Sequence, residues 1–170
     1  LNDELIIKIA DLISAKKNSN LKKLVKDIHF ADMADVINLL NENQGIYLIK
    51  LFDSEKTSEI LTELDENVRE KILKALSVKE ISDEIEELDS DDAADILAEL
   101  SEERKEEVIS EISDEDLADN LIELLSYKED SAGGLMAKEL VKANENWTIL
   151  KCLGEIKKQG ENVTRVHSIY

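Results

Sequence analysis

The sequence predicts an all-α protein: a superhelical stack, or α-solenoid, of short helices with a repeat of about twelve residues, followed by the beginning of an α/β domain. Three observations carry this. Apolar residues recur every twelve positions, a side chain suited to capping a helix follows most of them, and aromatics are only 4% of a chain that is 42% hydrophobic. Burial must therefore be spread along many small Leu, Ile, Val and Ala contacts, as it is in repeat proteins.

The first elements are expected before the repeat begins. Leu5, Ile6, Ile9, Leu12 and Ile13 share one helix face, and Leu21, Leu24, Val25 and Ile28 share the next. The repeat then runs through Leu40, Phe52, Leu64, Leu76, Leu88, Leu100, Ile112 and Leu124. Three residues before each stands Ile37, Ile49, Leu61, Leu73, Ile85, Leu97, Ile109 or Leu121, and Val36, Ile60, Ile72, Ile96 and Val108 add a third apolar group to their units. Spacing of i and i+3 places each set on one helical face.

Immediately after the repeated apolar residue come Asn41, Asp53, Asp65, Ser77, Asp89, Ser101 and Ser113, all able to accept from the free N–H groups of a following helix. Ser77 with Glu80 has the spacing of a capping box. Each helix should end where the next is capped. Helices of about ten residues are too short to stand alone, so they must bury their stripes against neighbours.

The repeat stops after Leu125, and the run from Ser126 to Gly134 ends in paired glycines, which permit backbone conformations closed to other residues. The helical domain is therefore placed at 1–130, with 131–170 as a linker and the start of a second domain. There Glu139 to Ala143 reads as a strand, Thr148 to Lys158 as a helix and Val163 to Tyr170 as a second strand.

The formal charge is −19, and residues 80–120 alone hold 19 acids against the two bases Arg104 and Lys105. Such a field repels nucleic acid and anionic lipid, so neither is an expected partner. Self-repulsion should also raise carboxylate pKa values, so that stability increases as the pH falls from 7 toward about 5. No apolar run is long enough to cross a membrane. Cys152 is the single cysteine and cannot form an internal disulfide.

Catalysis is not expected. His29 and His167 are the only side chains with a neutral-range base and both read as packed or surface residues; no phosphate loop or nucleophile elbow is present. An EF-hand counted from Asp89 fails, with Ala94 at the glycine position and Leu100 at the bidentate glutamate position. What remains is Asp91 and Asp95, one helical turn apart, with Asp92 nearby. On spacing alone these acids fit two readings equally: first-turn residues that favour the helix dipole, or oxygen ligands for a hard cation. A second pattern favours cations. Asp35, Glu59, Asp83, Asp95, Glu107 and Asp119 hold one phase of the repeat, interrupted by Tyr47 and Lys71, and should line one edge of the stack.

Tyr127, Glu129 to Met136 and the preceding Asp91 to Leu97 together resemble the cytosolic part of MgtE-type magnesium transporters. The resemblance covers about 22–137 as that family's helical superhelix and 138–170 as the start of the first of its paired CBS domains, with Trp147 and Thr148 at a helix entry. Lys128 stands where a proline is frequent. The resemblance implies a sensor on the cytoplasmic face of the membrane: Mg2+ bound between the helical domain and the CBS domains holds a homodimer compact and the pore shut. By position, Glu59, Asp91 and Asp95 correspond to the helical domain's Mg2+ ligands, with Gly134 a further one through its carbonyl. The implied partners are Mg2+ and the chain's own CBS and transmembrane domains; a complete CBS pair and the pore lie outside this sequence, so nucleotide binding and conduction are not assigned to it. The competing reading is a helical scaffold for protein partners, similar to segments of flagellar motor switch proteins.

Overall fold

In the computed structural model, residues 3–128, 130–139 and 143–159 are described, the last of them by its backbone alone. They form eleven helices: α1 (Asp3–Ser14), α2 (Asn18–Val25), α3 (Phe30–Leu39), α4 (Glu42–Ile49), α5 (Ser54–Glu63), α6 (Glu66–Ala75), α7 (Val78–Ile85), α8 (Ser90–Ala98), α9 (Glu102–Glu111), α10 (Glu115–Leu125) and α11 (Ile149–Gln159). The all-helical class expected from the twelve-residue period is what is found.

The capping logic of the sequence sets these boundaries. The repeated apolar residues Leu40, Leu64, Leu76 and Ile112 leave the helical conformation for an extended one and so close α3, α5, α6 and α9. The next residue then caps: Asn41 Oδ1 accepts from Gln44 N at 3.1 Å, and Ser77 Oγ accepts from Glu80 N at 3.2 Å, each completed into a capping box by the return bond. Asp53 and Ser101 cap α5 and α9 in the same way. Two expected caps differ. Asp65 makes no side-chain cap bond to α6, and its N–H instead donates to Asn38 Oδ1 at 3.2 Å. Ser113 gives way to Asp114, whose carboxylate accepts from Asp116 and Leu117, so α10 begins one residue late.

The chain divides into two compact units: Leu1–Leu88 with Ile96–Ser113, and Asp89–Asp95 with Asp114–Tyr170. In the first, helices pack on their second neighbours, α3 on α5, α5 on α7, α7 on α9 and α4 on α6, while α1 packs on α2 and α4. The stripe read from the sequence is its core: Ile37, Ile49, Leu61, Leu73, Ile85 and Leu97 are buried, as are Val36, Leu48, Ile60, Ile72, Ile96 and Val108. Ile109 is half-buried.

A longer period lies on top of the twelve-residue one. The Lys56 ammonium donates to the carbonyls of Val25, Lys26 and Ile28, closing the open end of α2. Four twelve-residue units later, the Arg104 guanidinium donates to the carbonyls of Leu73 and Leu76 at the end of α6. The Asn38 to Asp65 bond has its counterpart, at the same offset, in Glu86 accepting from Ser113 N. Basic side chains thus satisfy helix-end carbonyls that have no partner within the helix. Within the first unit these helix-end contacts occur in two rounds, four twelve-residue units apart.

The second unit contains α10, α11 and the start of α8. The helix expected at Thr148 to Lys158 is α11, with Thr148 Oγ1 accepting from Lys151 N at 3.3 Å. Glu139 and Ala143, the ends of the first expected strand, are in irregular structure; residues 140–142 and the second expected strand lie outside the described residues.

Candidate functional site

The acidic edge exists as a local feature of each unit. Asp35, Glu59 and Glu107 are exposed in the first, and Asp95 and Asp119 in the second. Asp83 is half-buried and paired with Lys79 at 2.8 Å. The reason is the helical period: Glu59 precedes buried Ile60 and Leu61, and Asp95 precedes buried Ile96 and Leu97, so these carboxylates flank the apolar stripe and point off it.

Of the four residues carried over from the resemblance, Glu59 is an exposed position on α5 in the first unit. Asp91 and Asp95 lie on α8 in the second, half-buried and exposed respectively, one turn apart beside buried Ala93 and Ala94. Gly134 is half-buried in the turn after α10, its N–H donating to Ser131 Oγ at 3.2 Å. Among the described residues no three His, Cys, Asp or Glu side chains converge tightly enough to form a metal cage. Asp91 and Asp95 are carboxylates, the class of hard oxygen donor that divalent cations such as Mg2+ prefer.

The start of α8 is held by residues that spacing did not single out. Ser90 is fully buried; its N–H donates to Glu139 Oε1 at 3.1 Å, its hydroxyl donates to Glu139 Oε2 at 2.9 Å, and its Oγ accepts from Lys138 N at 2.8 Å. A carboxylate thus accepts from the Ser90 N–H at a helix N-terminus, where negative charge is favoured. The ammonium of Lys138 pairs with Glu123 of α10 at 2.7 Å. The Lys138 and Tyr127 hydrogen bonds hold the Glu123 carboxyl below the usual range. These bonds tie Lys138 and Glu139 to the helix that carries Asp91 and Asp95. The sequence signal was a lone serine inside a run of aspartates, with no local pattern pointing to Glu139.

The glycine pair also has a different cause from the one expected. No described glycine has a positive φ. Gly133 instead lies under the Tyr127 ring: a Cβ built there would stand 2.7 to 3.0 Å from three ring atoms, inside contact distance. Gly133→Ala is expected to displace Tyr127 from Glu123 and cost about 1 to 3 kcal/mol, the usual range for overpacking. Tyrosine fluorescence and a urea midpoint compared with Gly154→Ala, where nothing lies within 4 Å, would check it; equal effects at the two glycines would contradict the steric account.

Carboxylate titration follows local partners more than total charge. At Glu80, burial pushes upward, but the Ser77 N–H and the Lys50 ammonium at 3.0 Å outweigh it and bring the pKa down. The Lys74 hydrogen bond lowers Glu70. The upward shift expected of a crowded acidic segment is found at Glu84, which burial and the neighbouring acids raise to about 8.

A family model described as the MgtE intracellular N domain matches residues 28–130. No curated protein matches. Among solved structures, the crystal structure of the soluble part of a magnesium transporter aligns with a TM-score of 0.77 at 19% identity, covering 99% of this chain and 66% of that one. The cytosolic domain of the Mg2+ channel MgtE, solved in complex with ATP, aligns with a TM-score of 0.85 at 23% identity, covering 97% of this chain and 67% of that one. At these identities the alignments establish the fold; the chain spans about two thirds of the length of each. None of the helices among the described residues is long and apolar enough to cross a membrane.

Proposed function

This chain belongs to the MgtE intracellular N domain family, and on that premise we propose that it is the regulatory, Mg2+-sensing segment of a magnesium transporter or channel. It acts by binding and not by catalysis. Glu59 on one unit, and Asp91 and Asp95 on the other, offer carboxylates to Mg2+ ions shared with the protein's own CBS domains, and Gly134 offers a carbonyl. In the full-length homodimer, at the cytoplasmic face of the membrane, bound Mg2+ favours a compact, closed arrangement. The observation that supports this best is the α8 edge: two carboxylates one turn apart on a helix whose opposite face is buried and whose start is fixed by Ser90 and Glu139.

Such a site senses because its ligands are few. Two carboxylates and water hold Mg2+ weakly, on the order of millimolar, so occupancy responds to free-ion concentration instead of saturating. Neutralising one side of a crowded acidic interface also removes repulsion that would otherwise keep domains apart.

In the full-length protein, Asp91→Ala, Asp95→Ala and Glu59→Ala are each expected to raise the Mg2+ concentration for half-maximal protease protection by about tenfold, the equivalent of ~1.4 kcal/mol of ion binding. Circular dichroism should be unchanged. If all three variants close at the wild-type Mg2+ concentration, the ligand assignment fails, and a scaffold that binds a basic protein partner becomes the better account.

A further inference from the structure

The repeat assigns Glu84 to the core. The position directly before the central apolar residue is Val36, Leu48, Ile60 and Ile72 in the first four units, and Glu84, Ile96, Val108 and the half-buried Asn120 in those that follow. All six aliphatics are buried, and Glu84 is buried with them, only 8% exposed. Its Oε2 is shielded from solvent and has no hydrogen-bond partner. A carboxylate in an aliphatic slot with an unsatisfied oxygen is a cost to the fold with no structural return, and such exceptions mark function more often than accident.

Among the described residues no salt bridge offsets it, and the charges that act on it are acids. On α7 itself, Glu80 is held by Lys50 and the Ser77 N–H, Asp83 is paired with Lys79, and Glu87 is a further acid. The α5 side presents Asp53, the cap of that helix, while Lys56 is spent on the carbonyls that end α2. From α9, Arg104 donates through Nη2 to the Leu73 and Leu76 carbonyls while its Nε has no partner among the described residues, and Lys105 pairs with Glu102; the helix's other charged side chains, Glu103, Glu106, Glu107 and Glu111, are all acids. Helix α7 also links its neighbours within the first unit, since it packs on both α5 and α9.

We propose that Glu84 is a proton-operated switch in the helix stack: protonated, it packs as the aliphatic residues at equivalent positions do; ionised, it drives α7 out of its contact with α5 and α9. Because burial raises this carboxyl to about 8, against 4.5 for the free group, the folded state holds a proton that the unfolded chain releases. The sign follows from that difference. Between about pH 5 and pH 8 the folded chain binds more protons, so stability falls as pH rises, by up to about tenfold in the folded-to-unfolded ratio per pH unit for one proton. The lowered carboxylates Glu70, Glu80 and Glu123 act in the opposite direction and below this window, where they lose stability on acidification.

The test is urea unfolding of the whole chain at low salt from pH 5.5 to 8.5, with amide hydrogen exchange over α7 corrected for the intrinsic pH dependence of exchange. Wild type should lose stability across the range, and α7 amides should lose protection ahead of those in α3 and α5. Glu84→Gln, a neutral isostere, and Glu84→Val, the residue found at position 36, should flatten both dependences and exceed wild type in stability at pH 8.5. A wild-type slope that persists in both variants would place the proton elsewhere. A slope that vanishes while α7 exchanges only with global unfolding would reduce Glu84 to a destabilising residue. Either result overturns the switch.

Discussion

Leu97→Ala is expected to cost about 3 kcal/mol of fold stability, within the range measured for truncating a fully buried leucine. Leu97 has no exposed surface, and Ile96 and Ala93 on the same helix are equally enclosed, so the lost side chain leaves a cavity that the short α8 cannot close by sliding. The comparison variant is Glu59→Ala, an exposed position on α5, whose effect should stay within about 0.5 kcal/mol. Urea midpoints of the two variants measure the difference directly. Equal losses would mean that the apolar stripe is not what holds the stack together, and the whole reading of the twelve-residue period would fall with it.

That period made most of the fold legible. Two rules operating at one spacing, an apolar residue that ends a helix and a polar one that caps the next, fix both where helices lie and which face they bury, and Leu40 with Asn41 or Leu76 with Ser77 show both rules in three dimensions. The four-helix super-period was harder to see because it is carried by single polar contacts. Lys56 and Arg104 differ in residue type while doing the same work, and so do Asn38 and Glu86, which accept from backbone N–H groups through an amide oxygen and a carboxylate oxygen. No apolar pattern records such pairings. The one-residue delay of α10 was hidden in sequence because Ser113 and Asp114 are both good cap residues, and the Asp114 carboxylate is the one that accepts from the N–H groups of Asp116 and Leu117.

The candidate site was legible in part. The phase of the acids relative to the stripe places Glu59 and Asp95 off the buried face without any structure, because a helix has one period and both patterns obey it. What fixes α8 was not legible, since the bonds from Ser90 to Glu139 span nearly fifty residues and neither partner belongs to a repeat. Glu84 was hidden by the same regularity that revealed its neighbours: among 19 acids in one segment, a carboxylate that faces inward looks like the others until its register is counted.

Arg69→Ala is expected to lower stability by about 3 to 4 kcal/mol, the range for removing one partner of a largely buried ion pair. Arg69 Nη1 donates to the carbonyls of Leu61, Thr62 and Leu64 at 3.1, 3.4 and 3.5 Å, closing the end of α5, while Nε donates to Glu99 Oε1 at 2.8 Å and Nη2 donates to the same oxygen. Both side chains of the pair are more than four-fifths buried, and Glu99 Oε2 already has no partner. Without the guanidinium, three helix-end carbonyls lose their donor and the Glu99 carboxylate is left shielded from water with no counter-charge. Most of the loss therefore comes from the stranded carboxylate and not from the bond itself. This makes the second half of a double-mutant cycle decisive: in a Glu99→Gln background, Arg69→Ala should cost only ~1 to 2 kcal/mol, the share due to the α5 carbonyls. An undiminished cost in that background would assign the effect to the helix end alone, and a small cost in both would show that the staple between α5, α6 and the segment after α8 contributes little to the stack.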